Sequence, residues 1–160
     1  MKLLTSSRVG CMTQLDLTAA TGLEQVRAVQ AGTLPRPGIA GLVGFTLSRV
    51  DPGDVEATLA TRADMSNPMG SVHGGIAATL LDTVMGCAVH TVLDPGESYT
   101  TTDLHVHYVR GVQPGKTVVA TGTVVHRGRR LATAEGRLVD ERGRLVAHGT
   151  TSCMIFPAPR

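Results

Sequence analysis

The stretch from Ile76 to Leu93 constrains this chain more than any other. It is apolar on nearly every side and is interrupted only by Asp82, His90 and a few threonines. A helix that is apolar all round has to be buried all round. Its eighteen residues reach the length of a membrane span. Asp82 near the middle and strand-like runs before and after it argue against a span. The expectation is a helix at the centre of the domain, stopped by Asp94-Pro95-Gly96.

The surrounding sequence alternates in strand fashion. Two runs, Leu42 to Val50 and Val55 to Arg62, flank Asp51-Pro52-Gly53-Asp54, where Pro presets φ and Gly takes the strained turn position. This predicts a β-hairpin. A polar loop, 63–72, leads to the helix. Four further runs follow it, Tyr99 to Val109, Lys116 to His126, Arg130 to Val139 and Arg144 to Phe156. The connections are short and rich in turn residues, so consecutive strands are expected to pair antiparallel. One face of these strands is small: Ala120 and Gly122, Ala132, Ala134 and Gly136, then Ala147 and Gly149. With only 2% aromatic residues, the core must be filled by aliphatic side chains and closely approaching backbones. The small face lets a sheet curl tightly round a bulky helix. The expected fold is α+β, an antiparallel sheet wrapped around one long central helix. A short helix runs ahead of it from Thr21 to Gln30, ended by Gly32 and the Pro35-Arg36-Pro37-Gly38 cluster. Residues 1–20 read as a flexible segment and 21–156 as a single domain.

Charge narrows the function. Fifteen Lys and Arg stand against 13 Asp and Glu. That balance calls for neither nucleic acid nor a membrane surface as partner. Cys11, Cys87 and Cys153 are odd in number and in no metal-ligand spacing, which suits small buried hydrophobes in a reducing cytoplasm. Lys2-Leu3-Leu4 is too short for a signal peptide, and Met12 serves as a start as well as Met1.

Asp82 is the first candidate for chemistry. A carboxylate inside an apolar helix is costly to desolvate unless it is paired or near water. It reads either as a hydrogen-bonded core group or as a general base or nucleophile. Gly74-Gly75 opens the same helix. Without side chains its first amides are accessible, and the helix dipole favours negative charge there, so it reads as an oxyanion site or a simple cap. Eight residues separate Gly74 from Asp82, about 12 Å along the axis. One carbonyl cannot meet both within a chain. A shared reaction requires two antiparallel helices from two chains, hence a dimer with interfacial sites.

Other residues carry weaker signals. His73 and Asn67 suit either capping or contact with a substrate carbonyl. A hydroxyl among Thr100, Thr101 and Thr102 either positions water or reflects strand propensity. Asp103, His105 and His107 share a strand face, a thin basis for a metal site. His90 and His148 read as structural groups. Arg127-Gly128-Arg129-Arg130 forms a basic hairpin tip, either solvated or a phosphate clamp. No aromatic platform accompanies it for nucleic acid. There is no nucleophile elbow, P-loop or dinucleotide fingerprint.

Asn67-Pro68-Met69-Gly70-Ser71-Val72-His73-Gly74-Gly75, with Asp82 nine residues after the His, resembles the hotdog-fold acyl-CoA thioesterases of the PaaI-like group. Thr101 to Arg110 and Arg127 to Ala132 look like the same family, and the likeness covers about residues 40–156. It implies a hotdog fold and hydrolysis of an acyl-CoA, aryl or medium-chain, to acid and CoA, with no cofactor or metal. By position, Asp82 would activate water or attack the thioester, and the Gly74 amide would polarise the carbonyl. Asn67 and His73 would assist there, and Thr101 would hold the water. Gly75 and the tip Arg127, Gly128, Arg129 and Arg130 would meet the CoA. The family is usually a homotetramer, a dimer of dimers. The other readings are a non-catalytic acyl-CoA binding module, a dehydratase on the same fold and a purely structural oligomer.

Overall fold

The computed structural model describes Asp16, Leu17 and residues 19–158. Most of the segment expected to be flexible, with Cys11 and Met12, lies outside the described residues. The described part of it closes in a turn, where the Ala19 and Ala20 amides both donate to the Asp16 carbonyl at 3.2 and 2.9 Å.

Helix α1, Gly22–Gln30, starts at Thr21, whose side chain accepts from the Glu24 amide while Glu24 reaches back to the Thr21 amide. This reciprocal pair satisfies two donors that a helix start otherwise leaves open. A methyl at Gly22 would stand 1.8 Å from the His90 carbonyl oxygen, so only glycine lets α1 abut the central helix so closely. A second helix, α2 (Gly38–Val43), occupies the start of the run expected to be extended from Leu42. Pro37 stands at its N-cap, and Gly44 ends it in the left-handed region at φ 89°. The strand β1 is therefore only Thr46–Asp51. It turns into β2, Asp54–Ala60, as the Pro-Gly turn predicts.

A single 3-10 turn, Ala63–Met65, leads to α3, Gly74–His90. The helix begins two residues earlier and ends three earlier than the apolar run. The strands β3 (Glu97–Tyr108), β4 (Thr117–Arg127), β5 (Leu131–Asp140) and β6 (Leu145–Pro157) complete an antiparallel sheet in the order β1-β2-β4-β5-β6-β3. The expectation that every consecutive pair of strands would be neighbours fails at β3 and β4. Both sides of β4 are taken, by β2 and β5. β3 instead runs along the 13-residue β6. The Val109 and Arg110 amides extend that pairing by donating to the Val146 carbonyl, and Val112 in the connection is buried.

The sheet wraps α3 as its small face requires. Leu80, Leu81, Val84, Met85, Ala88 and Val89 of the helix are buried against Val55, Ala57 and Leu59 of β2 and the alanines of β4, β5 and β6. Gly122 brings the β4 backbone against the Val84–Met85 peptide. Gly149 serves a different closeness: a methyl there would meet the His105 carbonyl of the neighbouring strand at 2.4 Å. No helix among the described residues is long and apolar enough to cross a membrane.

Candidate functional site

Asp82 sits half-buried on α3, and the Thr101 hydroxyl donates to its Oδ1 at 3.1 Å. Thr101 reaches it because β3 is irregular at that point. Thr101 pairs with Cys153 and Asp103 with Ser152, leaving Thr102 as the extra residue of a bulge. The bulge is fastened on three sides. Thr102 donates to the Ser152 carbonyl, Thr151 donates to the Asp103 carbonyl, and the Asp103 carboxylate accepts from the Ser152 amide. Among the described residues Asp82 has no ion pair, so its one described partner is a neutral hydroxyl.

The start of α3 forms a second cluster. His73 is the N-cap, and its Nδ1 accepts from the Gly75 amide at 2.9 Å. Gly75 is thus not an open donor. The Gly74 amide has no partner among the described residues, so it is the donor left free at this helix end. Tyr108 supports it from β3. Its hydroxyl donates to the Gly74 carbonyl at 3.2 Å, and its ring lies where a Gly74 methyl would come within 3.2 Å. In the sequence Tyr108 is one residue of the run Tyr99 to Val109. Nothing in its spacing marks it as a support for the helix start.

Asn67 shapes the loop ahead of that helix start. Its Oδ1 accepts from the Met69 and Ser71 amides at 3.0 and 3.2 Å, and its Nδ2 donates to Ser71 Oγ at 2.9 Å. Side-chain bonds of this kind are how asparagine holds a turn. Asn67, His73, Gly74, Ile76, Tyr108 and Arg110 border one cavity of about 320 Å³. The structure therefore gathers Asn67, His73 and Gly74 at one place and Asp82 with Thr101 at another. Within one chain the helix keeps the two places about 12 Å apart along its axis.

The basic tip divides in two. Arg127 is tied to Glu97, to the Gly128 carbonyl at 2.9 Å and more loosely to Asp94 at 3.8 Å. It braces the hairpin base. Arg129 and Arg130 are exposed and have no ion pair among the described residues. They border a cavity of about 400 Å³ with Gly96, Glu97 and Phe156. Gly128 closes the tip by donating to the Leu131 carbonyl.

The remaining polar groups are accounted for otherwise. His107 stacks on His148 with ring centroids 5.0 Å apart. Asp103 is engaged in the bulge, and no cluster of three metal-ligating side chains occurs among the described residues. Burial pushes the Cys87 thiol up to about 11 and raises Cys153 as well, so neither is a poised nucleophile. His90 bonds the Gln25 side chain at 3.2 Å and meets the Tyr99 ring edge-on.

Comparison with known proteins gives the family. The thioesterase superfamily profile matches residues 69–147. The proofreading thioesterase EntH of Klebsiella pneumoniae is 30% identical over 64% of this chain and 74% of its own length. The human acyl-coenzyme A thioesterase 13 is 29% identical over 66% of this chain and 75% of its own. Among solved structures, a phenylacetic acid degradation-related protein of Ralstonia eutropha superposes with a TM-score of 0.74 at 31% identity, covering 80% of this chain and 97% of that one.

Proposed function

The chain belongs to the thioesterase superfamily and has its hotdog fold, and on that premise we propose that it hydrolyses acyl-CoA thioesters with Asp82 as the acting carboxylate. The observation that carries this reading is the Asp82–Thr101 pair. A carboxylate placed in an apolar helix with a single neutral partner stabilises the fold poorly. It is suited to take a proton from water, or to attack a carbonyl, beside a hydroxyl that orients the incoming oxygen.

In the first route, water adds to the thioester carbonyl carbon as Asp82 takes its proton. The carbonyl electrons move to oxygen, which the Gly74 amide and the dipole of α3 stabilise. Collapse expels the CoA sulfur, which leaves with the proton. In the second route the carboxylate itself adds, the thiolate departs, and water cleaves the mixed anhydride. Both routes use the same residues. In either, the Gly74 amide acting with a given Asp82 belongs to a second copy of the chain, because of the separation along α3. A homodimer with antiparallel helices supplies this, and a dimer of dimers extends it. Asn67 fixes the loop beside the carbonyl site, and His73 retains one ring nitrogen to face the carbonyl or the departing sulfur. Arg129 and Arg130, the two cations of the tip with no ion pair among the described residues, suit CoA phosphates.

The test is CoA release, followed with a thiol reagent, from phenylacetyl-, benzoyl- and C4 to C16 acyl-CoAs. Asp82→Asn should melt as the wild type does and lose at least ~100-fold in turnover. A variant that turns over normally refutes the role of Asp82. Silence of the wild type across the panel, with binding retained, makes the chain an acyl-CoA binding module.

A further inference from the structure

A second, larger cavity of about 510 Å³ lies under α1. Its outer wall is built by Val29 of α1, Leu34 of the connector, Phe45 and Leu47, and its inner wall by Cys87 and Tyr99. We propose that this cavity seats the acyl chain of the thioester and that Val29 sets how long a chain it admits. The proposal rests on the thioesterase reading given above.

Continuity with the carboxylate fixes the occupant. Tyr99 and Thr101 pair with Ile155 and Cys153, both buried, so the two side chains share the inward face of β3. Thr101 meets Asp82, and the Tyr99 hydroxyl lies where a methyl on Gly86 would come within 2.7 Å. Asp82 and Gly86 are four residues apart, hence on one face of α3 and about 6 Å apart along it. The cavity wall therefore begins one helical turn from the reacting carboxylate, and Thr83, next to Asp82, lines it too. An acyl group whose carbonyl is at Asp82 has this space beside it.

The walls suit an uncharged guest. Burial keeps the Cys87 and Tyr99 protons on and holds His90 below its usual range, so all three are neutral near pH 7. The Arg36 guanidinium is turned to the Ala40 and Phe45 carbonyls. The roof is fixed rather than loose. The Gly22 amide donates to the Leu93 carbonyl, Arg27 to that of Val50 and Gln30 to that of Leu47. The volume falls in the range of small-molecule sites, about 300–1,000 Å³.

Two readouts separate the pocket from the reaction. Binding of non-hydrolysable S-alkyl-CoA thioethers, C4 to C16, is measured by calorimetry, and kcat/KM for the matching acyl-CoAs by CoA release. Wild type, Val29→Phe and Val29→Ala are compared. Each buried methylene is worth about fourfold. Val29→Phe should cut C12 binding and kcat/KM at least tenfold and leave C4 within about twofold, while Val29→Ala shifts the preference to longer chains. Val29→Ala adds no bulk and reads the same ruler should Val29→Phe not fold. Hydrolysis with an unchanged length profile in the variants overturns the pocket and leaves the reaction standing. A shifted binding profile with no hydrolysis by the wild type upholds the pocket and removes the reaction.

Discussion

A single methyl group at Gly122 tests the link between the sheet's small face and the candidate site. Built on the β4 backbone, it would stand 2.5 Å from the Val84 carbonyl carbon and 2.6 Å from the Val84 oxygen and the Met85 nitrogen. Ordinary contact starts at 3.4 Å, so strand and helix must part by about 0.9 Å. Backbone atoms have no rotamer with which to yield. Gly136 on β5 is the control. A methyl there meets Met85 Cγ at 3.0 Å and Leu81 Cδ2 at 3.1 Å, both side-chain atoms that can turn aside. Overpacking costs about 1–3 kcal/mol, and replacing a glycine in a regular element returns roughly 0.5–1 kcal/mol. Because the clash is backbone against backbone, the upper end of that cost applies, and Gly122→Ala should lose about 2 kcal/mol, or about 4–8 °C in melting temperature, and Gly136→Ala less than half of that. The larger effect should fall on catalysis. Val84 is two residues from Asp82, and a displacement near 1 Å can cost ~100-fold in rate. Melting curves and CoA release on both variants decide the matter. If Gly122→Ala melts like Gly136→Ala and keeps full turnover, the helix is not held at the sheet's contact distance and the argument fails.

Two further predictions rest on other parts of the molecule. Arg129→Ala with Arg130→Ala should raise KM for acyl-CoA more than it lowers kcat, whereas Arg127→Ala should chiefly lower the melting temperature, since Arg127 is spent on Glu97; equal kinetic effects from both would remove the distinction. Burial holds His90 below the usual imidazole range, so on acidification the unfolded chain takes up the proton first. The contribution to stability is complete above about pH 6.5 and is lost as pH falls toward the folded-state value. Melting temperatures from pH 8 to 5 should therefore fall less steeply in His90→Gln than in the wild type, and parallel slopes would refute this.

The elements that could be read from the sequence are those set by local pattern. The apolar run gave the central helix, the Pro-Gly turn gave the first hairpin, and the period-two alanines and glycines gave the face that grips α3. Thr21 and Glu24 gave the start of α1. What escaped depends on pairing over distance. A turn-rich connection after Tyr108 looks like a hairpin loop, yet β3 finds its partner in β6, about fifty residues on, because β4 is already flanked. The short helix α2 escaped because Leu42 and Val43 fit a strand run as readily as one turn of helix. Only Pro37 and Gly44 bracket it.

The candidate site divides along the same line. That Asp82 and the Gly74 amide stand apart follows from helix geometry and the numbering alone. Which of the two glycine amides stays open does not, since that is decided by the rotamer of His73, which caps Gly75. Nor does the aim of Thr101, one of three successive threonines. The bulge at Thr102 makes the choice, and it is fixed by Asp103 and Ser152, 49 residues apart in the chain. Each half of the site is thus held by its own fasteners, the Tyr108–Gly74 contact on one side and the Asp103–Ser152 bond on the other. Both halves join α3 to β3, at points about 12 Å apart along the helix. Two clusters about 12 Å apart along one helix can act on a single carbonyl only when two copies set the start of that helix in one beside its middle in the other.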